Sequence, residues 1–132
     1  AAFHRCNHRR FWWRSEHRLA SGACCVVYSA ARKDRSMIFS FIRKLAEADG
    51  GVQQLTTTEA DISAAFDTGA FDVLFVAMNE AVVGMAVFQS SYRTWSGPSL
   101  YLQDLVIDDE HRGLGLGTLL VRVLAEVALA QG

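Results

Sequence analysis

The sequence predicts an α/β domain with a mixed, mostly antiparallel sheet flanked by helices. Two segments with apolar residues at helical spacing precede three consecutive strand-like runs, and a third helical segment follows those runs. The predicted order is strand, helix, helix, strand, strand, strand, helix. A chain of 132 residues has room for one domain with one ordinary core.

The first half of the predicted domain contains one strand and two helices. The run CCVVYSA at 24–30 is apolar and β-branched, which is typical of a strand. The segment DRSMIFSFIRKLAEADGG begins with Asp34, carries apolar residues at helical spacing and ends in a glycine pair, so it predicts a helix. In TTTEADISAAFDTG, Thr58 and Asp61 form a T-x-x-D capping pattern, which predicts a second, shorter helix.

The second half contains the other strands and the last helix. Two apolar runs in FDVLFVAMNEAVVGMAVF meet at Asn79-Glu80, a pair that favours a hairpin turn. Gly84 inside the second run predicts a bulge or a close backbone approach. A third run at 100–107 completes an antiparallel meander, and GTLLVRVLAEVALAQ presents apolar residues on one helical face.

Residues 1–22 differ in composition from residues 23–132 and are interpreted as a basic, aromatic N-terminal extension. Residues 1–35 hold eight Lys or Arg and two acids, whereas the remainder holds five and twelve. An irregular tail is the favoured interpretation of residues 1–22, and an organellar transit peptide is the alternative. His4, Cys6 and His8 are metal-ligand types, but no second cluster accompanies them, so no metal site is predicted.

The cysteines indicate a reducing compartment, and the domain is predicted to be cytoplasmic. Their number is odd, and the adjacent Cys24 and Cys25 cannot readily bridge each other, which argues against a secreted disulfide framework. Both are interpreted as inert strand residues. The sequence contains no apolar run of about 18 residues, so no membrane helix is expected.

The stretch LYLQDLVIDDEHRGLGLGTLL joins a predicted strand to the last helix through a glycine-rich loop. Its glycines allow unusual dihedral angles, so several amide N–H groups can converge at a helix N-terminus, where an anion is favoured. A phosphate-binding P-loop requires a lysine after the last glycine, and a dinucleotide-binding fingerprint requires a different glycine spacing. The remaining pattern is R-x-x-G-x-G at Arg112, Gly115 and Gly117.

This pattern resembles the coenzyme A pyrophosphate loop of the GNAT superfamily of N-acetyltransferases. Residues 27–132 follow the order of elements in that superfamily, and DRSMIFSFIRKLAEAD and YRTWSGPSLYLQDLVIDDEHRGLGLGTLL resemble its diamine, or spermidine/spermine, acetyltransferase branch. The resemblance implies that acetyl-CoA is the co-substrate. It also implies which residues bind acetyl-CoA: Leu105, Val106, Ile107, Arg112, Gly113, Leu114, Gly115, Leu116, Gly117 and Thr118.

The resemblance also implies a pocket for the acceptor amine. Trp95 and Asp104 match positions in the family's pocket, and Asp49 lies where the family has an acid at the end of its first helix. Gln103 stands where the diamine enzymes carry a glutamate that helps to take the proton of the amine. Arg93 stands where they carry an acid, which argues against a polycation and favours a smaller or partly anionic amine.

The resemblance further implies a domain that is truncated at its C-terminus, because the family continues with a fifth strand, a helix and two more strands. The predicted function is transfer of an acetyl group from acetyl-CoA to a primary amine of a small molecule by direct attack. The alternatives are a catalytically incomplete CoA-binding fragment and a nucleic-acid-binding module that acts through the basic N-terminus. A homodimer is expected, and nucleic acid is the less favoured partner.

Overall fold

The computed structural model describes residues 2–4 and 11–131, which form a six-stranded sheet with helices on both faces. The strands lie in the sheet in their sequence order, and every pairing among them is antiparallel. The strands are β1 (Ala2–His4), β2 (Trp12–Arg18), β3 (Cys24–Ser29), β4 (Asp72–Met78), β5 (Ala81–Arg93) and β6 (Gly97–Ile107). The helices are α1 (Arg35–Ala48), α2 (Glu59–Asp67) and α3 (Leu116–Gln131).

Two apolar clusters lie on opposite faces of the sheet. The α1 and α2 helices bury Ile38, Phe41 and Phe66 against one face, where they meet Phe75 and Met85. The α3 helix buries a stripe of leucines and valines against the other face. The β5 strand lies between the two helical layers. Its residues 83–88 are therefore buried on both faces of the sheet.

The predicted helices and turns are confirmed, with their local causes visible. Thr58 Oγ1 accepts a hydrogen bond from the Asp61 amide at 3.1 Å, and the Asp61 carboxylate accepts one from the Thr58 amide at 2.9 Å. These two bonds satisfy amides that the first turn of α2 would otherwise leave unpaired. Asn79 and Glu80 have φ angles of 51° and 68°, as a tight hairpin turn between twisted strands requires.

The expectation for Gly84 is also confirmed. A Cβ atom at this position would lie 2.6 Å from Ile107 Cδ1 and 2.9 Å from Val76 Cγ1, and the register of β4 and β5 shifts beside it. Only glycine allows β5 to approach its neighbours this closely.

The expectation that residues 1–22 form an irregular tail is wrong for residues 11–19. The β2 strand pairs with β3 over five residues, and Phe11, Trp13 and Leu19 are buried in the cluster beneath α3. Trp13 is only 4% exposed, and its indole N–H donates to Ser15 Oγ at 2.9 Å. The segment is therefore part of the folded sheet, because burying these side chains removes a large apolar area from water.

The possible metal ligands of the N-terminal segment are only partly described. Cys6 and His8 lie outside the described residues. Within residues 2–4 and 11–131, no cluster of three or more His, Cys, Asp or Glu is placed to hold a metal ion. Cys24 is exposed and Cys25 is buried, and burial raises the pKa of the Cys25 thiol, which makes it less reactive. In the same part of the chain, no helix is long and apolar enough to cross a membrane.

Candidate acetyl-transfer site

The glycine-rich loop connects the end of β6 to the start of α3, as predicted. Gly113 and Gly115 have φ angles of 81° and 85°, and a Cβ atom on either would meet no heavy atom within 4 Å. The dihedral angles, and not a lack of space, therefore require glycine at these two positions. The first hydrogen bond of α3 runs from the Leu119 amide to the Gly115 carbonyl at 3.0 Å, so the three preceding amides have no acceptor inside the helix.

A cavity of about 370 Å³ lies against this loop, and we call it the loop cavity. Its lining includes every residue of the predicted CoA set except Val106 and Leu114. Val106 is buried under α1, and Leu114 packs against the cluster beneath α3. Free helix amides and the positive end of the helix dipole meet at this cavity, so it has the local properties of an anion site.

Arg112, which lines the loop cavity, forms an ion pair with Asp109 at the protein surface. Arg112 Nε lies 3.1 Å from Asp109 Oδ1, and the Arg112 side chain is 62% exposed. A surface ion pair of this kind contributes at most about 1 kcal/mol, so an incoming anion can compete for the guanidinium group. His111 also lines the cavity, and its Nδ1 atom is buried with no hydrogen-bond partner among the described residues.

The β6 strand is the last strand of the described sheet. Leu105, Val106 and Ile107 pair with Ala86, Met85 and Gly84 of β5 on one side only. Half of the backbone groups of an edge strand point away from its partner, and no strand in the described residues uses them here. These groups therefore remain able to bind an extended ligand beside the loop cavity.

A β-bulge interrupts β6 two residues before this segment. Val87 pairs with Asp104, whereas the next residue of β5, Phe88, pairs with Leu102, so Gln103 is an extra residue without a partner. Side chains at successive strand positions normally point to opposite faces. The bulge interrupts this alternation, and Gln103 and Asp104 line the same cavity of about 480 Å³. We call it the bulge cavity.

The bulge cavity also contains Asp49 and has an acidic lining. Asp49 caps the C-terminus of α1, and Asp61 of α2 completes a set of three carboxylates with Asp104. Among the residues that the structure describes, no lysine or arginine lines this cavity. Desolvation by burial raises the pKa of Asp104, whereas hydrogen bonds from the Thr58 backbone and side chain lower the pKa of Asp61. The cavity thus attracts cations, and its carboxylates are in different electrostatic environments.

The structure does not bring Trp95 to this cavity within the chain. Trp95 lies at the tip of the hairpin between β5 and β6 and is fully exposed. Arg93 pairs with Gly97 at the same tip and does not line the bulge cavity. The argument that Arg93 repels a polycation from the pocket mouth is therefore wrong for a single chain, since both side chains are several residue pairs away from Asp104 along β6.

Sequence reasoning did not assign several lining residues to the site, and Lys44, Asp61 and His111 are among them. Lys44 of α1 donates to Asp108 at 2.6 Å across a cleft of about 640 Å³ that runs past 105–107. His111 directly precedes the RGLGLG stretch, and this position in the sequence is the signal that could have placed it at the site. A further cavity of about 680 Å³ lies at the start of α1, but it contains none of the predicted site residues.

Comparison with known proteins identifies the family. A family model described as the acetyltransferase (GNAT) family matches residues 39–132. Thialysine N-epsilon-acetyltransferase from Bos taurus is 32% identical over 120 residues, and the alignment covers 83% of this chain and 71% of the relative. The spermidine/spermine N(1)-acetyltransferase-like protein 1 from Homo sapiens is 27% identical over 112 residues, which cover 78% of this chain and 16% of that protein.

Solved structures support the same fold. An aminoglycoside acetyltransferase from an uncultured soil metagenomic sample, in complex with sisomicin, aligns with a TM-score of 0.70 at 16% identity. The alignment covers 82% of this chain and 72% of that one. The family resemblance predicted from the glycine-rich loop is therefore confirmed, together with the similarity to the diamine acetyltransferase branch. This chain belongs to the GNAT family of acetyltransferases, whose relatives found here are named for the transfer of an acetyl group to an amine.

Proposed function

We propose that this protein transfers an acetyl group from acetyl-CoA to the primary amine of a small molecule. One observation carries the proposal: the loop cavity and the bulge cavity both open onto the same five-residue stretch of β6, residues 103–107. One cavity suits an anion and the other a cation. A donor bound at the first and an amine bound at the second would meet at this edge strand.

Acetyl-CoA suits the residues of the loop cavity. Leu116, Gly117 and Thr118, whose amides have no acceptor inside the helix, line this cavity, and the guanidinium group of Arg112 supplies positive charge beside them. When bound, acetyl-CoA supplies an acetyl thioester, which a neutral amine attacks. The outer backbone groups of Leu105 and Ile107 would bind the extended arm of the co-substrate and orient its thioester.

The bulge cavity suits a cationic amine with an apolar chain. Its three carboxylates attract an ammonium group, and side chains such as Ile42, Leu45 and Phe71 supply an apolar wall. The names of the bovine and human relatives suggest thialysine and spermidine as the first amines to test.

We also propose that the protein is a cytoplasmic homodimer. Tyr92, Trp95 and Tyr101 on the β5–β6 hairpin are 73%, 100% and 57% exposed, and large exposed aromatic patches are typical of protein interfaces. The free Cys24 and Cys25 agree with a reducing compartment.

Titration calorimetry with acetyl-CoA tests the first half of the proposed function. We expect saturable binding by the protein and a loss of at least about tenfold in affinity for Gly115→Asp, which places a carboxylate and a strained side chain at the anion site. Gly22→Asp is the matched control, because Gly22 has a φ of 93° and equally open surroundings in the β2–β3 turn. Equal affinity in all three proteins would contradict the assignment of the loop.

An amine screen tests the second half. Acetyl-CoA is mixed with thialysine or spermidine, and thiol release and the mass of the amine product are measured. Binding without turnover would favour the alternative of a CoA-binding fragment. The nucleic-acid alternative is weakened by the burial of Trp13, which is then not available to stack on bases.

A further inference from the structure

The bulge in β6 places two consecutive side chains at the acceptor site, and one of them cannot act as a base. Gln103 is the extra residue, and its amide has no site that accepts a proton near neutral pH. An ammonium group must lose a proton before its nitrogen can attack a carbonyl carbon. Among the described residues that line the bulge cavity, the groups that can accept this proton are its three carboxylates.

Two of the three carboxylates are poorly suited to this task. Asp61 accepts a hydrogen bond from the Thr58 amide at 2.9 Å, and its pKa is lowered as a result. It therefore holds a proton less readily than an ordinary aspartate. Asp49 is exposed at the C-terminus of α1, where its charge can attract a cation but remains solvated by water.

Asp104 differs from both in its surroundings. It is half-buried, and no donor within the described residues forms a hydrogen bond or an ion pair with its carboxylate. Burial raises its pKa, so the group binds a proton more readily than an ordinary aspartate does. Asp104 also directly precedes Leu105, where the edge backbone of the proposed thioester site begins.

Resting on the proposed function, we propose that Asp104 is the general base that removes the proton from the acceptor amine in place of residue 103. The ammonium group transfers one proton to the Asp104 carboxylate, which leaves a neutral amine and a carboxylic acid. The amine nitrogen then forms a bond to the acetyl carbon as the carbon–sulfur bond breaks. The departing thiolate takes the second proton of the nitrogen, and Asp104 returns its proton to water.

The pH dependence of kcat/KM distinguishes a base from a merely structural residue. Thialysine and spermidine are the probes, and kcat/KM is measured from mildly acidic pH up to about 10, near the pKa of a free amine. We expect Asp104→Asn to lower kcat/KM at neutral pH by roughly 10²-fold or more. We also expect this variant to recover at high pH, where the amine loses its proton to water without help.

Two further variants make the assignment sharper. Asp49→Asn keeps Asp104, so we expect a higher KM with the acidic limb of the pH profile unchanged. The double variant Asp104→Asn/Gln103→Glu restores a carboxylate to the same cavity one residue earlier, and we expect it to regain part of the lost kcat/KM.

The outcomes separate this proposal from the function on which it rests. A folded Asp104→Asn protein with the parent pH profile, or with a higher KM and unchanged kcat, would overturn the role of Asp104 alone. The absence of turnover in the unsubstituted protein with both amines would overturn the proposed function, and the base with it. Loss at neutral pH, recovery at high pH and rescue by Gln103→Glu would together support Asp104 as the base.

Discussion

Asp104 is a charge held in the structure at a cost. A carboxylate whose pKa is higher in the folded than in the unfolded chain is less favourable when ionised in the folded state. The penalty is present above the folded pKa and disappears as the pH falls below the unfolded value. The unfavourable term is what the proposed chemistry uses, because a poorly solvated carboxylate takes up a proton more readily.

A stability measurement can detect this cost independently of activity. We expect Asp104→Asn to raise the free energy of unfolding at neutral pH, and we expect the gain to shrink as the pH is lowered towards 4. Asp61→Asn is the contrasting control. The fold lowers the pKa of Asp61 from 3.8, so the ionised Asp61 stabilises the protein, and we expect the Asp61→Asn variant to be less stable at neutral pH. Urea denaturation at several pH values measures both. A lower free energy of unfolding for Asp104→Asn would contradict the claim that the Asp104 charge has no compensating partner.

At the same scale, single residues of the site were predictable where one local rule determines them. Gly113 and Gly115 were recognised because a strand-to-helix loop of this kind needs positive φ angles. The position of Trp95 was not, because its distance from Asp104 depends on how far the β5–β6 hairpin extends, which no local pattern encodes. The shared cavity of Gln103 and Asp104 depends on a bulge, and no glycine marks that bulge in the sequence.

Among the secondary-structure elements, β2 contributes a buried tryptophan that is important for stability. Trp13 and Trp12 are neighbours that point to opposite faces, and their exposed fractions are 4% and 46%. We expect Trp13→Ala to lower the free energy of unfolding by about 3–5 kcal/mol, since it leaves a cavity beneath α3. The matched Trp12→Ala variant should lose clearly less, because nearly half of the Trp12 side chain is already in contact with water. Equal losses in urea denaturation would contradict the docking of β2 onto the sheet.

The elements also show which sequence signals are reliable. The α2 helix was predicted correctly because Thr58 and Asp61 satisfy each other's amides locally. The β2 strand was missed, although Arg14, Glu16 and Arg18 alternate with inward-facing residues along it. The alternation was hidden because the inward positions include Ser15 and His17, which bond to each other at 2.7 Å and look like surface residues in the sequence.

At the scale of the whole molecule, the sheet has two different edges. The extension adds β1 and β2 beyond β3, whereas the other edge is β6, beside the proposed site. The sheet order follows the chain, which made the antiparallel meander of β4, β5 and β6 predictable from turn signals alone. The two added strands were not predictable from the family resemblance, which begins only at Val27.

The proposed homodimer is a property of the molecule as a whole. We expect the protein to sediment as a dimer and Trp95→Ala to shift it towards the monomer, because that substitution removes a fully exposed aromatic side chain from the hairpin. Leu129→Ala on α3 is the control, since Leu129 is 82% exposed but lies on a different element. A protein that sediments as a monomer at high concentration would contradict the proposal.

The hairpin turn between β4 and β5 offers a practical advantage. Glu80 adopts a φ of 68°, a left-handed conformation that costs a residue with a side chain about 1 kcal/mol and costs glycine little. Glu80 lines neither the loop cavity nor the bulge cavity. Glu80→Gly would therefore raise the free energy of unfolding by at most about 1 kcal/mol, which would offset part of the loss caused by a damaging substitution such as Trp13→Ala.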